Sequence, residues 1–249
     1  MKAEPNSTYE KELLQCGDVF EIPERMKIGA IIQARMSSKR FPGKVLYKVN
    51  GKPMLQYLLD GLKHCSVLDE LVVATSIELT DEPIRIFCEA NDVYCCSGPL
   101  EDVAGRFIGV IDSLKFDAFV RISGDSPLLD HRLVSKSVDL FNAGNYDIVT
   151  NVHRRTFPKG QSVEVIRSST FKAVYPLMKT AHQKEHITPY FYLNKGKFSI
   201  YNFESEKDYG QIQLSVDTYE DMIKIQRLLS CMSKPHWEYT FEDFVTLLE

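Results

Sequence analysis

Residues 26–44, MKIGAIIQARMSSKRFPGK, join a short apolar run to a cationic loop. The run from Ile28 to Gln33 is rich in isoleucine and carries no charge, so it predicts a β-strand buried on both faces. In open α/β sheets, ligands bind outside the carboxyl ends of the strands. The loop that follows this strand is therefore the first place to expect a binding site.

Strand-like and helix-like segments alternate along the rest of the chain. Short runs of β-branched and aromatic residues predict strands at 71–75, 93–96 and 118–122, with helices at 53–64, 81–90 and 100–114. Later strands are predicted at 147–150, 163–166, 198–203 and 212–216. Helices that alternate with strands buried on both faces are typical of a mostly parallel, doubly wound sheet. The predicted fold class is α/β.

Composition narrows the possible partners. The chain has 249 residues, with 30 lysines and arginines against 34 aspartates and glutamates, and a formal net charge of −4. This length suits one large α/β domain. The slight acidic excess argues against a nucleic-acid partner, because proteins that bind duplexes are usually strongly basic. The sequence contains no apolar run of about 18 residues, so we expect no membrane-spanning helix.

The first 25 residues are polar and lack the cationic head and apolar stretch of a secretory signal. The six cysteines show neither CxxC spacing nor a disulfide-rich pattern. We therefore expect a cytoplasmic protein. We interpret 1–25 as a polar leader and 26–249 as a single domain, with an inserted subregion at 151–205.

The loop after the first strand concentrates positive charge. Its glycine spacing matches neither a Walker loop nor a GxGxxG fingerprint. Cations so close together repel one another unless anionic oxygens lie between them, and guanidinium groups match phosphate geometry well. The loop therefore predicts a triphosphate site, although a solvated basic turn would have the same charge pattern. Four cations lie within ten residues: Arg35, Lys39, Arg40 and Lys44.

Two aspartates follow predicted strands. Asp125 lies in GDSPL, directly after the strand at 118–122, and Asp217 lies in VDTYED, after the strand at 212–216. Carboxylates at neighbouring strand ends would hold Mg²⁺ beside phosphates. Each aspartate also has a structural interpretation. Asp125 could be an ordinary turn residue, and Asp217 could be a helix N-cap, with Glu220 completing a pattern like a capping box.

Residues 31–55, IIQARMSSKRFPGKVLYKVNGKPML, closely resemble the opening of the sugar cytidylyltransferases. The closest likeness is to the branch named after spore-coat polysaccharide biosynthesis (SpsF-like), which is related to acylneuraminate and CMP-Kdo synthetases. The likeness covers nearly everything from Met26 onward, in the family's order. It continues through GPLEDVAGRF (98–107), VRISGDSPLLD (120–130), RTFPKGQSVEVI (155–166), KEHITPYFY (184–192) and LSVDTYED (214–221).

The resemblance implies a Rossmann-like nucleotide-diphospho-sugar transferase fold, with 151–205 as an acceptor and dimerisation subregion. It implies a homodimeric, Mg²⁺-dependent enzyme that transfers CMP from CTP to a sugar acid of the nonulosonic type and releases pyrophosphate. A same-fold enzyme using a sugar phosphate, or another phosphorylated alcohol, is an alternative. A second alternative is a catalytically degenerate protein that binds nucleotide without turnover.

The resemblance also assigns residues to roles. Arg35, Lys44, Asp125 and Asp217 would be catalytic, and the two aspartates would hold Mg²⁺. Ala34, Ser38 and Arg40 would join Arg35 and Lys44 around the CTP phosphates. The base or ribose would lie against Ala74, Thr75, Asp102 and Arg106, and the acceptor against Lys159, Glu164 and His186.

Some positions remain open. His186 could be a structural histidine, and Glu164 could face the opposite side of its strand. The chain also departs from the branch at two positions. Ser162, in the acceptor region, stands where an aspartate is usual, and Ser97, near the nucleotide, stands where an arginine is common.

Overall fold

A seven-stranded sheet forms the centre of the computed structural model, which describes residues 25–248. The predicted leader, 1–25, thus lies outside the described residues except for Arg25. A short hairpin, β2 (Lys48–Val49) and β3 (Lys52–Pro53), stands apart from the sheet. The strands of the sheet are β1 (Ile28–Gln33), β4 (Glu70–Ser76), β5 (Tyr94–Gly98), β6 (Ala118–Ser123), β7 (Ile148–Thr150), β8 (Glu164–Arg167) and β9 (Ile200–Asn202).

The sheet is mostly parallel. Its strand order is β5-β4-β1-β6-β8-β7-β9, and only β8 runs antiparallel to its neighbours β6 and β7. The start of β8 therefore lies beside the carboxyl ends of β6 and β7, with Glu164 opposite both Arg121 and Thr150. This arrangement confirms the predicted α/β class with a mostly parallel sheet.

Helices cover both faces of the sheet. Alternate strand residues point to opposite faces: Ile32 packs with one helix layer, and Ile31 packs with the other. None of the helices in residues 25–248 is long and apolar enough to span a membrane. The helices are α1 (Met54–Leu62), α2 (Glu82–Ala90), α3 (Val103–Leu114), α4 (His131–Ala143), α5 (Ser168–Val174), α6 (Ala181–His186), α7 (Pro189–Leu193), α8 (Tyr219–Cys231) and α9 (Phe241–Thr246).

The prediction of a strand at 212–216 is wrong. This segment is extended but forms only one isolated bridge, between Gln213 and Lys159. Its apolar residues Leu214 and Val216 are buried against α8 rather than in the sheet. Alternating apolar residues predict a half-buried extended segment, and they do not specify whether its partner is a strand or a helix. The segment still ends at the functional site, because the Val216 N–H donates to the Asp125 carbonyl (2.9 Å).

Candidate active site

A cleft of about 370 Å³ opens at the carboxyl ends of β1 and β6. This is the edge at which ligands bind in open α/β sheets. All four cations of the 35–44 loop line the cleft rather than facing only solvent. The lining residues are Gln33, Ala34, Arg35, Ser38, Lys39, Arg40, Lys44, Val45, Arg121, Ser123, Asp125, Glu185, His186 and Asp217.

The cationic loop is closed by backbone hydrogen bonds. The Met36 carbonyl accepts from the N–H groups of Ser38 (2.9 Å) and Gly43 (2.8 Å). Gly43 has φ of +75°, a conformation that glycine adopts at little cost. At the other end, the Met36 N–H donates to the buried carboxylate of Asp81 (2.7 Å). These contacts hold the loop as a cradle, with Ser38 on its lining.

Lys44 lies between the two predicted metal ligands. Its Nζ is 2.8 Å from Asp125 Oδ2 and 3.3 Å from Asp217 Oδ1, and it donates to the Val216 carbonyl (2.6 Å). Asp217 also pairs with Arg40, at 2.9 Å. The fold thus brings together an aspartate from the end of β6, an aspartate preceding α8 and the last cation of the loop.

The N-cap interpretation of Asp217 is wrong. The N-cap of α8 is Thr218, whose hydroxyl accepts from the Asp221 N–H, while the Asp221 carboxylate accepts from the Thr218 N–H (2.9 Å). The capping box is therefore shifted by one residue from the predicted Asp217–Glu220 pair. Because Thr218 caps the helix, the Asp217 carboxylate is available to the cleft.

The two carboxylates fit Mg²⁺ when water or phosphate oxygens complete its ligand set. Within residues 25–248, no three His, Cys, Asp or Glu side chains converge as a metal site. Mg²⁺ is often bound by one or two carboxylates plus substrate phosphates and water. Asp125 and Asp217, which share one ammonium, match that pattern. In this structure, the Lys44 ammonium neutralises the carboxylate charge of Asp125 and Asp217 that a bound Mg²⁺ ion would otherwise neutralise.

Lys44→Met is expected to make the protein responsive to Mg²⁺. The change leaves Asp125 facing Asp217 without the ammonium, so the free energy of unfolding should fall by about 2 kcal/mol. Millimolar Mg²⁺ should then raise Tm more in the variant than in the wild type. Thermal unfolding followed by circular dichroism, with Mg²⁺ or with EDTA, measures this effect.

The matched control is Lys52→Met, which breaks the 2.8 Å ion pair between Lys52 and Asp60 outside the cleft. It should lose some stability without gaining any response to Mg²⁺. Equal Mg²⁺ responses in Lys44→Met and the wild type would contradict the two-carboxylate site.

Helix α6 contributes two residues to the lining of the cleft. Glu185 Oε1 is 2.9 Å from Arg35 Nη2, and Lys184 Nζ is 3.4 Å from Asp102 Oδ2. His186, the next residue, lines the cleft. Burial lowers the pKa of His186, and Arg121, His182 and Arg35 lower it further, although Glu185 opposes them. The imidazole is therefore neutral at neutral pH.

Asp102 has a structural role in this arrangement. It is the N-cap of α3, accepting from the Gly105 N–H (2.9 Å) and from the Tyr175 hydroxyl (2.7 Å). Burial raises the pKa of Asp102, but the hydrogen bonds from Tyr175 and Gly105 and the charge of Lys184 outweigh it, so the pKa lies below its ordinary value. The carboxylate anchors the start of α3 and the end of α6 but does not line the cleft.

Arg106 is buried without hydrogen-bond partners. Its side chain projects from α3, the residue is 2% exposed, and its three guanidinium nitrogens have no partner within residues 25–248. Burial and the charge of Arg35 lower its pKa, while Asp81 and Asp102 oppose them. Thr75 Oγ1, at the end of β4, is likewise buried and unpartnered. Buried polar groups are normally satisfied, so these atoms indicate a place for a polar ligand.

Like Thr75 and Arg106, the remaining predicted residues lie outside the cleft lining. Ala74 is buried in the core, and its carbonyl accepts from the Ala34 N–H at 3.1 Å. Lys159 has an exposed side chain, and its backbone pairs with Ile212 and Leu214. Glu164 is buried, and its side chain contacts Arg121 and Tyr192.

Two charged residues of the cleft, Arg121 and Glu185, were missed by sequence reasoning. Arg121 is the charged residue in the otherwise uncharged strand β6, four positions before Asp125. A charge within an apolar strand is a signal that could have identified it. Glu185 gave no such signal, because its contact with Arg35 joins residues 150 positions apart.

The sequence profile of the family described as Cytidylyltransferase matches residues 29–243. This chain belongs to the cytidylyltransferase family. The cytidylyltransferase fold also agrees with a solved structure, a cytidylyltransferase from Leptospira borgpetersenii. That structure is 29% identical, has a TM-score of 0.85, and is matched over 90% of this chain and 94% of its own.

Two curated relatives of this cytidylyltransferase are informative. The spore coat polysaccharide biosynthesis protein SpsF of Bacillus subtilis is 29% identical over 207 residues, covering 80% of this chain and 84% of SpsF. The 3-deoxy-manno-octulosonate cytidylyltransferase of Geobacter metallireducens is 34% identical over 113 residues, covering 45% of this chain and 44% of that enzyme. These likenesses confirm the predicted family.

Proposed function

We propose that this cytidylyltransferase transfers the CMP group of CTP to a hydroxyl of a sugar acid and releases pyrophosphate. The observation that carries the proposal is the cleft itself, in which four cations of one loop face two carboxylates, Asp125 and Asp217. A triphosphate needs the cations, and its Mg²⁺ ion needs the carboxylates. The similarity to an octulosonate cytidylyltransferase supports a sugar acid as the acceptor.

The proposed step is a displacement at the α-phosphorus of CTP. The oxygen of the acceptor's anomeric hydroxyl attacks phosphorus, and this hydroxyl loses its proton to solvent water. The bond from the α-phosphorus to the bridging oxygen breaks, and pyrophosphate leaves with the electron pair. Such transfers depend on positioning and charge neutralisation more than on covalent help.

The residues of the chain divide these tasks. Arg35, Arg40 and Lys44 would neutralise phosphate oxygens, and Asp125 and Asp217 would hold Mg²⁺. When bound, Mg²⁺ supplies further charge neutralisation at the α-phosphate. Arg35 must first exchange its carboxylate partner, Glu185, for a phosphate.

The base or ribose of CTP would satisfy the buried polar atoms beside β4 and β5. Arg106 supplies unused guanidinium donors, and Thr75 supplies an unused hydroxyl. Gly98 gives the arginine room, because a Cβ there would lie 2.6 Å from Arg106 Cγ. This placement assigns the nucleoside to Arg106 and Thr75 and leaves His186 to contact the acceptor.

Pyrophosphate release with Mg²⁺ tests the proposal. CTP, UTP, GTP and ATP are each combined with a panel of sugar acids, including 3-deoxy-manno-octulosonate, and with sugar phosphates. We expect release with CTP and a sugar acid. Release only with a sugar phosphate would replace the acceptor class. CTP binding without release on any acceptor would favour a protein that only binds nucleotide.

A further inference from the structure

Arg121 places a further positive charge in the cleft. It lies on β6, four residues before Asp125, and its side chain lines the cleft with an exposed fraction of 21%. It also lies close enough to His186 to lower that residue's pKa. The four loop cations are assigned to the phosphates, so Arg121 is an additional cation of the cleft, carried by strand β6 rather than by the loop.

One edge of the Arg121 guanidinium is held by a buried carboxylate. Nη1 donates to Glu164 Oε2 at 2.7 Å, and the other oxygen of Glu164 accepts from the Tyr192 hydroxyl. Glu164 is 1% exposed and does not line the cleft. Both of its oxygens are engaged, so Glu164 acts on Arg121 rather than on a ligand.

The other edge of the guanidinium is unused. Nε is buried and has no hydrogen-bond partner within residues 25–248, and the Arg121 hydrogen bonds in this range involve Nη1 rather than Nη2. Nε and Nη2 form the edge of a guanidinium that binds a carboxylate through two parallel hydrogen bonds. A buried, unused donor beside a cleft calls for an acceptor from the ligand.

We propose that Arg121 binds the carboxylate of the acceptor and thereby selects a sugar acid. The proposal rests on the proposed function. In a 2-keto sugar acid the carboxylate is bonded to the anomeric carbon, whose hydroxyl attacks the α-phosphorus. Its binding site must therefore lie in the cleft that Asp125 lines, as Arg121 does. Glu164, held by Tyr192, is then a positioning residue that aims the free edge of Arg121.

The test compares a sugar acid with its carboxamide in the pyrophosphate assay. In the wild type, we expect kcat/KM to be about 100-fold higher for the acid, as charge-assisted hydrogen bonds predict. In Arg121→Gln, kcat/KM for the acid should also fall by about 100-fold. The kcat/KM for the carboxamide should fall by less than about threefold. The KM for CTP should stay within about twofold. Glu164→Gln should raise the KM for the acid about tenfold with little change in kcat.

Arg121→Gln leaves Glu164 buried without its cation, so this variant could fail to fold. The double variant Arg121→Gln/Glu164→Gln carries no unpaired buried charge and gives the same comparison. Arg227→Gln, an exposed change on α8, is the control and should keep the preference for the acid.

The outcomes separate the two proposals. An Arg121 variant that retains the preference for the acid would overturn the role of Arg121 while leaving the proposed function intact. CTP turnover with acceptors that carry no carboxylate, and with no sugar acid, would overturn both the acid acceptor and its binding by Arg121. Loss of the preference, with CTP binding unchanged, supports the proposal.

Discussion

Asp125→Asn and Asp217→Asn are each expected to lower kcat by about 10³-fold or more and to leave the protein folded. Metal-assisted charge neutralisation is worth several kcal/mol in such reactions, and each 1.36 kcal/mol is a factor of ten in rate. Lys44 keeps one carboxylate partner in either variant. The free energy of unfolding should therefore change by no more than about 1 kcal/mol, because partly exposed ion pairs contribute little.

Nucleotide binding distinguishes loss of the metal site from general damage. Without Mg²⁺, both variants should bind CTP at least as tightly as the wild type, since each removes a negative charge beside the phosphates. Addition of Mg²⁺ should then strengthen binding less than in the wild type. Isothermal titration calorimetry with and without Mg²⁺ measures both quantities.

Asp60→Asn is the matched control for these variants. Asp60, on α1, pairs with Lys52 of β3 and does not line the cleft. Its substitution should leave kcat and CTP affinity unchanged. Near-normal kcat in Asp125→Asn or Asp217→Asn would remove that residue from the metal site.

Arg106→Met is expected to separate stability from nucleotide binding. The substitution removes a buried charge with no hydrogen-bond partner in the described part of the chain. Replacing buried charge by apolar volume is often neutral or stabilising. The free energy of unfolding without nucleotide should therefore be unchanged or higher by about 1–2 kcal/mol. CTP affinity should fall about 100-fold, because charged hydrogen bonds are worth about 1.5–3 kcal/mol each.

Urea unfolding and calorimetric titration with CTP measure the two effects on one preparation. Arg106→Lys keeps the charge but loses the planar fork, so it should bind CTP weakly without the gain in stability. Arg227→Met, on the exposed face of α8, should change neither quantity. Wild-type CTP affinity in Arg106→Met would show that the nucleoside binds elsewhere.

The positions of the strands could be predicted from local sequence patterns. The first strand, Ile28–Gln33, has the predicted bounds, and the other six sheet strands overlap predicted ones. Buried parallel strands show as short apolar runs, and each loop after a strand end is a candidate for the site. Arg35, Lys44 and Asp125 could be predicted as site residues because each lies in a segment that follows a strand of the sheet, β1 or β6.

The segment at 212–216 shows where local pattern was insufficient. Its apolar residues are buried as predicted, yet it packs on α8 instead of joining the sheet. Burial of a segment depends on its own side chains, whereas the choice of partner depends on what else is close in space. The capping of α8 was missed by one residue for a related reason, since Asp217 and Thr218 are both good N-cap residues.

By itself, the sequence determined the α/β class, the family, the four loop cations and the two aspartates of the cleft, because periodicity and motif spacing are properties of neighbouring residues. Only the tertiary structure decided how these groups are paired. Arg121 contacts Glu164 across 43 positions, and Arg35 contacts Glu185 across 150. It also decided which donors stay unused, on Arg106 and Arg121. Hydrogen-bond satisfaction depends on distance in space, and chain separation does not encode that distance.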